Sequence, residues 1–78
     1  MGRQVNFNIG IIGCGLVGYK RSRSLGLKGR LVACADININ RAKKLASNKK
    51  IKIFTDWKKL LDVKEIDIVI ISTPHNQL

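Results

Sequence analysis

The stretch Ile9-Gly10-Ile11-Ile12-Gly13-Cys14-Gly15-Leu16-Val17-Gly18 decides how this chain folds. A short apolar run ends in glycines at 13, 15 and 18, and a helix-compatible segment follows. At a strand-to-helix junction, G-x-G-x-x-G is the spacing of a turn that binds a dinucleotide. Each glycine has its own task. Gly13 lets the backbone leave the strand in a tight turn. Gly15 offers main chain without a Cβ to an approaching pyrophosphate, and Gly18 lets the helix press on the strand. The N–H groups of Leu16 and Val17 then face the phosphates, with the positive end of the helix dipole behind them. Asp36 closes the next apolar run about 20 residues on, where a carboxylate accepts hydrogen bonds from the adenosine ribose. The competing reading is a glycine-rich turn that binds nothing.

Outward from this turn the pattern alternates. Residues 1–6 are a polar lead-in, and Phe7, Ile9, Ile11 and Ile12 form a first strand apolar enough to be buried on both faces. The spacing predicts a helix from Leu16 to Leu25 with Val17, Gly18, Ser22 and Leu25 inward, ended by Gly26 and Gly29. Leu31-Val32-Ala33-Cys34-Ala35 reads as a second strand. Asn38 caps a helix carrying Ala42, Leu45 and Ala46, which Asn48 through Lys50 close. Ile51, Ile53 and Phe54 give a third strand. Thr55 or Asp56 then caps a short helix with Trp57, Leu60 and Leu61 on one side, Trp57 as core. Ile66 through Ile71 is the fourth strand, stopped by Ser72-Thr73-Pro74.

This alternation calls for right-handed crossovers and an α/β fold: a partial Rossmann fold with a four-stranded parallel sheet in the order 3-2-1-4. The fourth strand is the most apolar, yet no fifth follows to cover its far edge, and such an edge is an aggregation liability. Either the chain is a truncated piece of a larger enzyme, which is the favoured reading, or a second copy or another polypeptide covers that edge.

Seventy-eight residues bound the chain to one small domain. Hydrophobic content of 45% and charged content of 26% fit a folded globular chain. No apolar run approaches the ~20 residues that span a bilayer, and the first residues hold neither a signal-peptide core nor a myristoylation serine or threonine. The expectation is a cytoplasmic protein away from membranes. Cys14 and Cys34 fall in core elements and read as reduced, buried small side chains; nothing near Cys14 in sequence supplies a base for a catalytic thiol. The net charge of +10, from 15 Lys and Arg against 5 acids, speaks of anionic partners. Most of the cations fall on polar helix faces. No aromatic residues are interleaved with them for base stacking, which argues against nucleic acid.

Five blocks follow one another in a family order: Gly13-Cys14-Gly15-Leu16-Val17-Gly18, Val32-Ala33-Cys34-Ala35-Asp36, Asn40-Arg41-Ala42-Lys43-Lys44-Leu45-Ala46, Thr55-Asp56-Trp57-Lys58-Lys59-Leu60-Leu61 and Asp67-Ile68-Val69-Ile70-Ile71-Ser72-Thr73-Pro74. From about Asn8 onward the chain resembles the glucose–fructose oxidoreductase / inositol dehydrogenase (Gfo/Idh/MocA) family. The resemblance implies an NAD(P)-dependent oxidoreductase acting on a sugar, polyol or related compound. By the same analogy Gly13, Gly15, Leu16 and Val17 hold the pyrophosphate, Asp36 the adenosine ribose, and Arg41 lies beside the adenine. Ser72, Thr73 and Pro74 line the cleft. Asp36 favours NAD because a 2′-phosphate would meet its charge, while Arg41 and the lysines keep NADP open.

The departures from the family matter too. Its Glu-Lys-Pro motif with the catalytic lysine and its second, substrate-binding domain are absent. Arg21 stands where the family often carries His, and His75 is assigned no catalytic role. Residues 1–78 therefore read as the N-terminal portion of a dinucleotide-binding domain, with no catalytic residue and no metal site. Its small-molecule substrate belongs to the complete enzyme. The alternatives are a free-standing nucleotide-binding module or a subunit completed by another chain, and, third, a basic nucleic-acid-binding domain.

Overall fold

The computed structural model, which describes residues 7–25, 29–47 and 50–72, alternates strands and helices throughout. The elements are β1 (Phe7–Ile12), α1 (Leu16–Arg23), β2 (Gly29–Ala35), α2 (Ile39–Ala46), β3 (Lys52–Phe54), α3 (Trp57–Leu61) and β4 (Ile68–Ile71). The strands are all parallel and lie in the order β3-β2-β1-β4, as the alternation predicts. Strand β1 is central because its apolar residues can be buried on both sides at once. Ile9 and Ile11 enter one core cluster with Cys14, Cys34, Ala42, Leu45 and Ala46. Ile12 enters the other with Ala33, Ala35 and Leu60, against which Trp57 and Ile66 pack. The pairing of β1 with β2 skips one residue: Ile9 stands opposite Leu31, and Gly10 opposite Ala33.

Several boundaries differ from the sequence reading. Helix α1 stops at Arg23 rather than Leu25. The Ser22 hydroxyl donates to the Tyr19 carbonyl (2.6 Å) and the Ser24 hydroxyl to the Lys20 carbonyl (2.8 Å), taking up oxygens of the last turn. Leu25 packs on the first cluster from outside the helix. Val17, expected inward, is 54% exposed, because the inner face is centred on Gly18 one residue further round. Leu61 is likewise exposed: α3 is only five residues long and buries Leu60. Strand β2 begins at Gly29, two residues early. Strand β4 begins at Ile68, since the Ile66 amide turns back to the Val63 carbonyl (3.3 Å) instead of joining the ladder. Asp56, not Thr55, caps α3. Strand β4 forms one edge of the sheet, with Ile68 43% and Ile71 57% exposed.

Candidate functional site

Strand β1 ends at the glycine turn, and the three glycines there differ physically. Gly13 has φ 95°, a left-handed conformation that side chains resist. A Cβ on Gly18 would collide with the Gly13 carbonyl oxygen, so helix and turn touch main chain to main chain. A Cβ on Gly15 would meet nothing within 4 Å. The first main-chain bond of α1 runs from the Tyr19 amide to the Gly15 carbonyl (2.8 Å), which leaves the amides of Leu16 and Val17 ahead of the helix's own ladder. Gly15 stands at the N-cap and supplies no side-chain cap. Leu16 (70% exposed) and Val17 crown an open, uncapped helix end.

The Asp36 carboxylate faces this same turn. Its Oδ2 accepts from the Cys14 amide (2.7 Å) and its Oδ1 from the Asn38 amide (2.8 Å). The Gly13 amide, one residue earlier, donates to the Ala35 carbonyl (2.8 Å), and the Asp36 amide to the Phe54 carbonyl (3.0 Å). Turn, carboxylate and the ends of β1, β2 and β3 are thus tied together at one end of the sheet. The amides of Cys14 and Asn38 are the functional groups that sequence reading missed. Asp-x-Asn is nonetheless the spacing of an Asx turn, in which the carboxylate accepts from the amide two residues on.

The remaining site residues are placed less tightly. Arg41 is exposed in the first turn of α2, where the helix dipole disfavours a cation; helix stability does not explain its position. Ser72 lies just past β4, its amide donating to the Ile12 carbonyl (2.8 Å) immediately before the glycine turn. Its hydroxyl oxygen is buried without a hydrogen-bond partner. Thr73, Pro74 and His75 lie outside the described residues.

The cysteines are free and buried, as their positions in the sequence predict. The Cys14 thiol donates to the Ala35 carbonyl (3.4 Å). The neighbouring Cys34 thiol, then burial, then the Asp36 carboxylate hold Cys14 above the ordinary thiol range. The side chain is buried in the first core cluster, although a helix N-terminus beside a cysteine generally favours the thiolate. Its amide serves the turn while its sulfur serves the core.

A family model described as an oxidoreductase family with an NAD-binding Rossmann fold, Gfo/Idh/MocA, matches residues 7–77. The chain belongs to that family. Among solved structures, this Gfo/Idh/MocA member is similar in fold to a myo-inositol dehydrogenase from Corynebacterium glutamicum, with a TM-score of 0.84 and 21% identity over 94% of this chain and 22% of that one. It is also similar to a myo-inositol dehydrogenase from Lactobacillus casei in complex with NAD(H) and myo-inositol (TM-score 0.82, 24% identity, 88% of this chain and 22% of that one). A third is a putative NADPH-dependent oxidoreductase from Desulfitobacterium hafniense (TM-score 0.80, 20% identity, 92% of this chain and 22% of that one). The chain thus spans about a fifth of the length of these structures. No curated protein matches the sequence. No helix among the described residues is long and apolar enough to cross a membrane.

Proposed function

We propose that this chain is the cofactor-binding part of an oxidoreductase that takes NAD, with NADP as the second choice, and acts on a sugar, polyol or related compound. The observation that carries the reading is the convergence of an uncapped, side-chain-free helix end with a carboxylate at one end of the sheet. The residues fit such a cofactor: the open space at Gly15 leaves room for a diphosphate, and the Ser72 hydroxyl, buried without a partner, follows the amide that is tied to Ile12 just before the glycine turn.

In this reading the chain binds and orients rather than reacts. Gly13 and Gly15 shape the turn, and the amides of Leu16 and Val17 donate to the diphosphate with the helix dipole behind them. Asp36 accepts from the adenosine ribose through lone pairs that its two amide partners leave free. Arg41 stands beside the adenine, and Ser72, Thr73 and Pro74 line the cleft. When bound, the nicotinamide supplies the hydride acceptor or donor. None of these residues contributes the proton transfer, which the relatives' additional length has room to provide. Two buried free thiols suit a reducing, cytoplasmic setting. The outer edge of β4, with Ile68 and Ile71 exposed, is proposed to be covered by further polypeptide, in a second copy or another chain.

Titration calorimetry with NAD+ and NADP+ tests the reading. Binding is expected in the unchanged chain, tighter for NAD+, and weakened tenfold or more by Gly15→Val or Asp36→Ala. No detectable heat with either dinucleotide at millimolar concentration would overturn it.

A further inference from the structure

Both oxygens of the Asp36 carboxylate are in use before any ligand arrives, and one of them holds the phosphate turn itself. Strand β1 ends at Ile12, yet its pairing with β2 continues two residues further. The Gly13 amide reaches the Ala35 carbonyl as an ordinary ladder bond would (2.8 Å). The Cys14 amide then reaches the Asp36 side chain rather than a main-chain carbonyl (2.7 Å). The carboxylate therefore acts as one more rung, placed where the backbone has already turned away. The Asp36 amide is in turn held by the Phe54 carbonyl (3.0 Å), so the rung is anchored to β3 as well.

We infer that Asp36 is a positioning residue for the phosphate turn in addition to its proposed contact with the ribose. The ligand half of this inference rests on the dinucleotide reading above; the clasp itself does not. A bond from an amide to a carboxylate is charge-assisted and stronger than one to a neutral oxygen. It fixes the residue directly before Gly15 and thereby the direction of the amides at Leu16 and Val17. The Asn38 amide on the other oxygen (2.8 Å) sets the carboxylate's own rotamer. A carboxylate offers about four acceptor sites, and two remain for hydroxyls. Turn and ribose ligand are thus ordered in the free protein, which lowers the entropy lost on binding.

The substitution Asp36→Ala separates this from a purely ribose-binding role, because inorganic pyrophosphate has no ribose. If Asp36 only binds ribose, removing its negative charge leaves pyrophosphate affinity unchanged or raises it. If Asp36 positions the turn, affinity falls, by about tenfold for the loss of one charge-assisted bond. The NAD+ affinity falls further still. A second measurement needs no variant: in the ligand-free chain, NMR should detect a through-hydrogen-bond coupling between the Cys14 amide nitrogen and the Asp36 carboxylate carbon. Absence of that coupling, or undiminished pyrophosphate affinity in Asp36→Ala, overturns the inference. If the coupling is present but neither pyrophosphate nor NAD+ binds the unchanged chain, the dinucleotide reading and the ligand half fall while the clasp stands.

Discussion

Helices α1 and α2 start at the same end of the same sheet, and they start in opposite ways. Helix α2 is closed by its own side chain: Asn38 accepts from the Asn40 amide (3.0 Å). Helix α3 does the same with Asp56 and the Lys58 amide (3.0 Å). Helix α1 begins at Gly15, which has no side chain to offer, and a Cβ placed there would meet nothing within 4 Å. A protein that caps two of the three helices among the described residues has the chemistry to cap the third. Leaving it open forgoes roughly the few tenths of a kcal/mol by which a serine or aspartate exceeds glycine at that position. The contrast teaches that an unfilled helix end is itself a signal, readable only beside filled ones.

The comparison can be broken most violently at Gly18. Replacing it by alanine drives a Cβ into the Gly13 carbonyl, where no rotamer change gives relief. Urea denaturation should show a loss of about 3 kcal/mol or more, within the large-effect class of backbone overpacking. A variant of wild-type stability would mean that α1 does not press on the turn.

Cys14 comes next, through pH. Its folded-state thiol is held above its unfolded value, so the stability linked to it is intact below the unfolded thiol pKa and is lost as pH rises beyond that. Cys34, whose thiol the same contact holds below the ordinary range, offsets part of that decline, so urea denaturation across the alkaline range should show a shallow pH dependence that Cys14→Ala alters by removing the contact. Equal alkylation of Cys14 in folded and unfolded protein at pH 8 would contradict the placement of its sulfur in the core.

A paired exchange sharpens the contrast between the two helix ends. Asn38→Ala removes a cap that exists and should destabilise by about 1 kcal/mol. Gly15→Ser adds one that does not exist and should stabilise by a few tenths of a kcal/mol, since the space around Gly15 is free. The same serine should weaken NAD+ binding severalfold by occupying the crevice. Thermal melts with and without NAD+ read both effects. Stabilisation without any loss of binding would show that the open end serves no ligand.

Much of this was visible in the residues alone. The strand order followed from alternation, and the tight turn at Gly13 and the close helix contact at Gly18 followed from spacing, because those depend on local sterics. The caps Asn38 and Asp56 were legible for the same reason. Val17 and Leu61 were misplaced because apolar residues near a helix end satisfy a periodicity without meeting a partner. The bond between Asp36 and Cys14 joins residues 22 apart in sequence and depends on how two strands are phased, which no window along the chain displays. The roles of Arg41, Ser72, Thr73 and Pro74 came from family likeness and rest on it still.

That phasing returns to the skipped residue between β1 and β2. Leu31 belongs to the cluster on one face, whereas Val32 and Ala33 both belong to the other, before Cys34 returns to the first. Parity along β2 is therefore reset once, midway. Were the same residues paired without that skip, every side chain after Val32 would exchange sides, carrying the acid at 36 to the far surface, away from the glycines. A single bulge in a strand is enough to choose which side of a sheet a functional side chain serves.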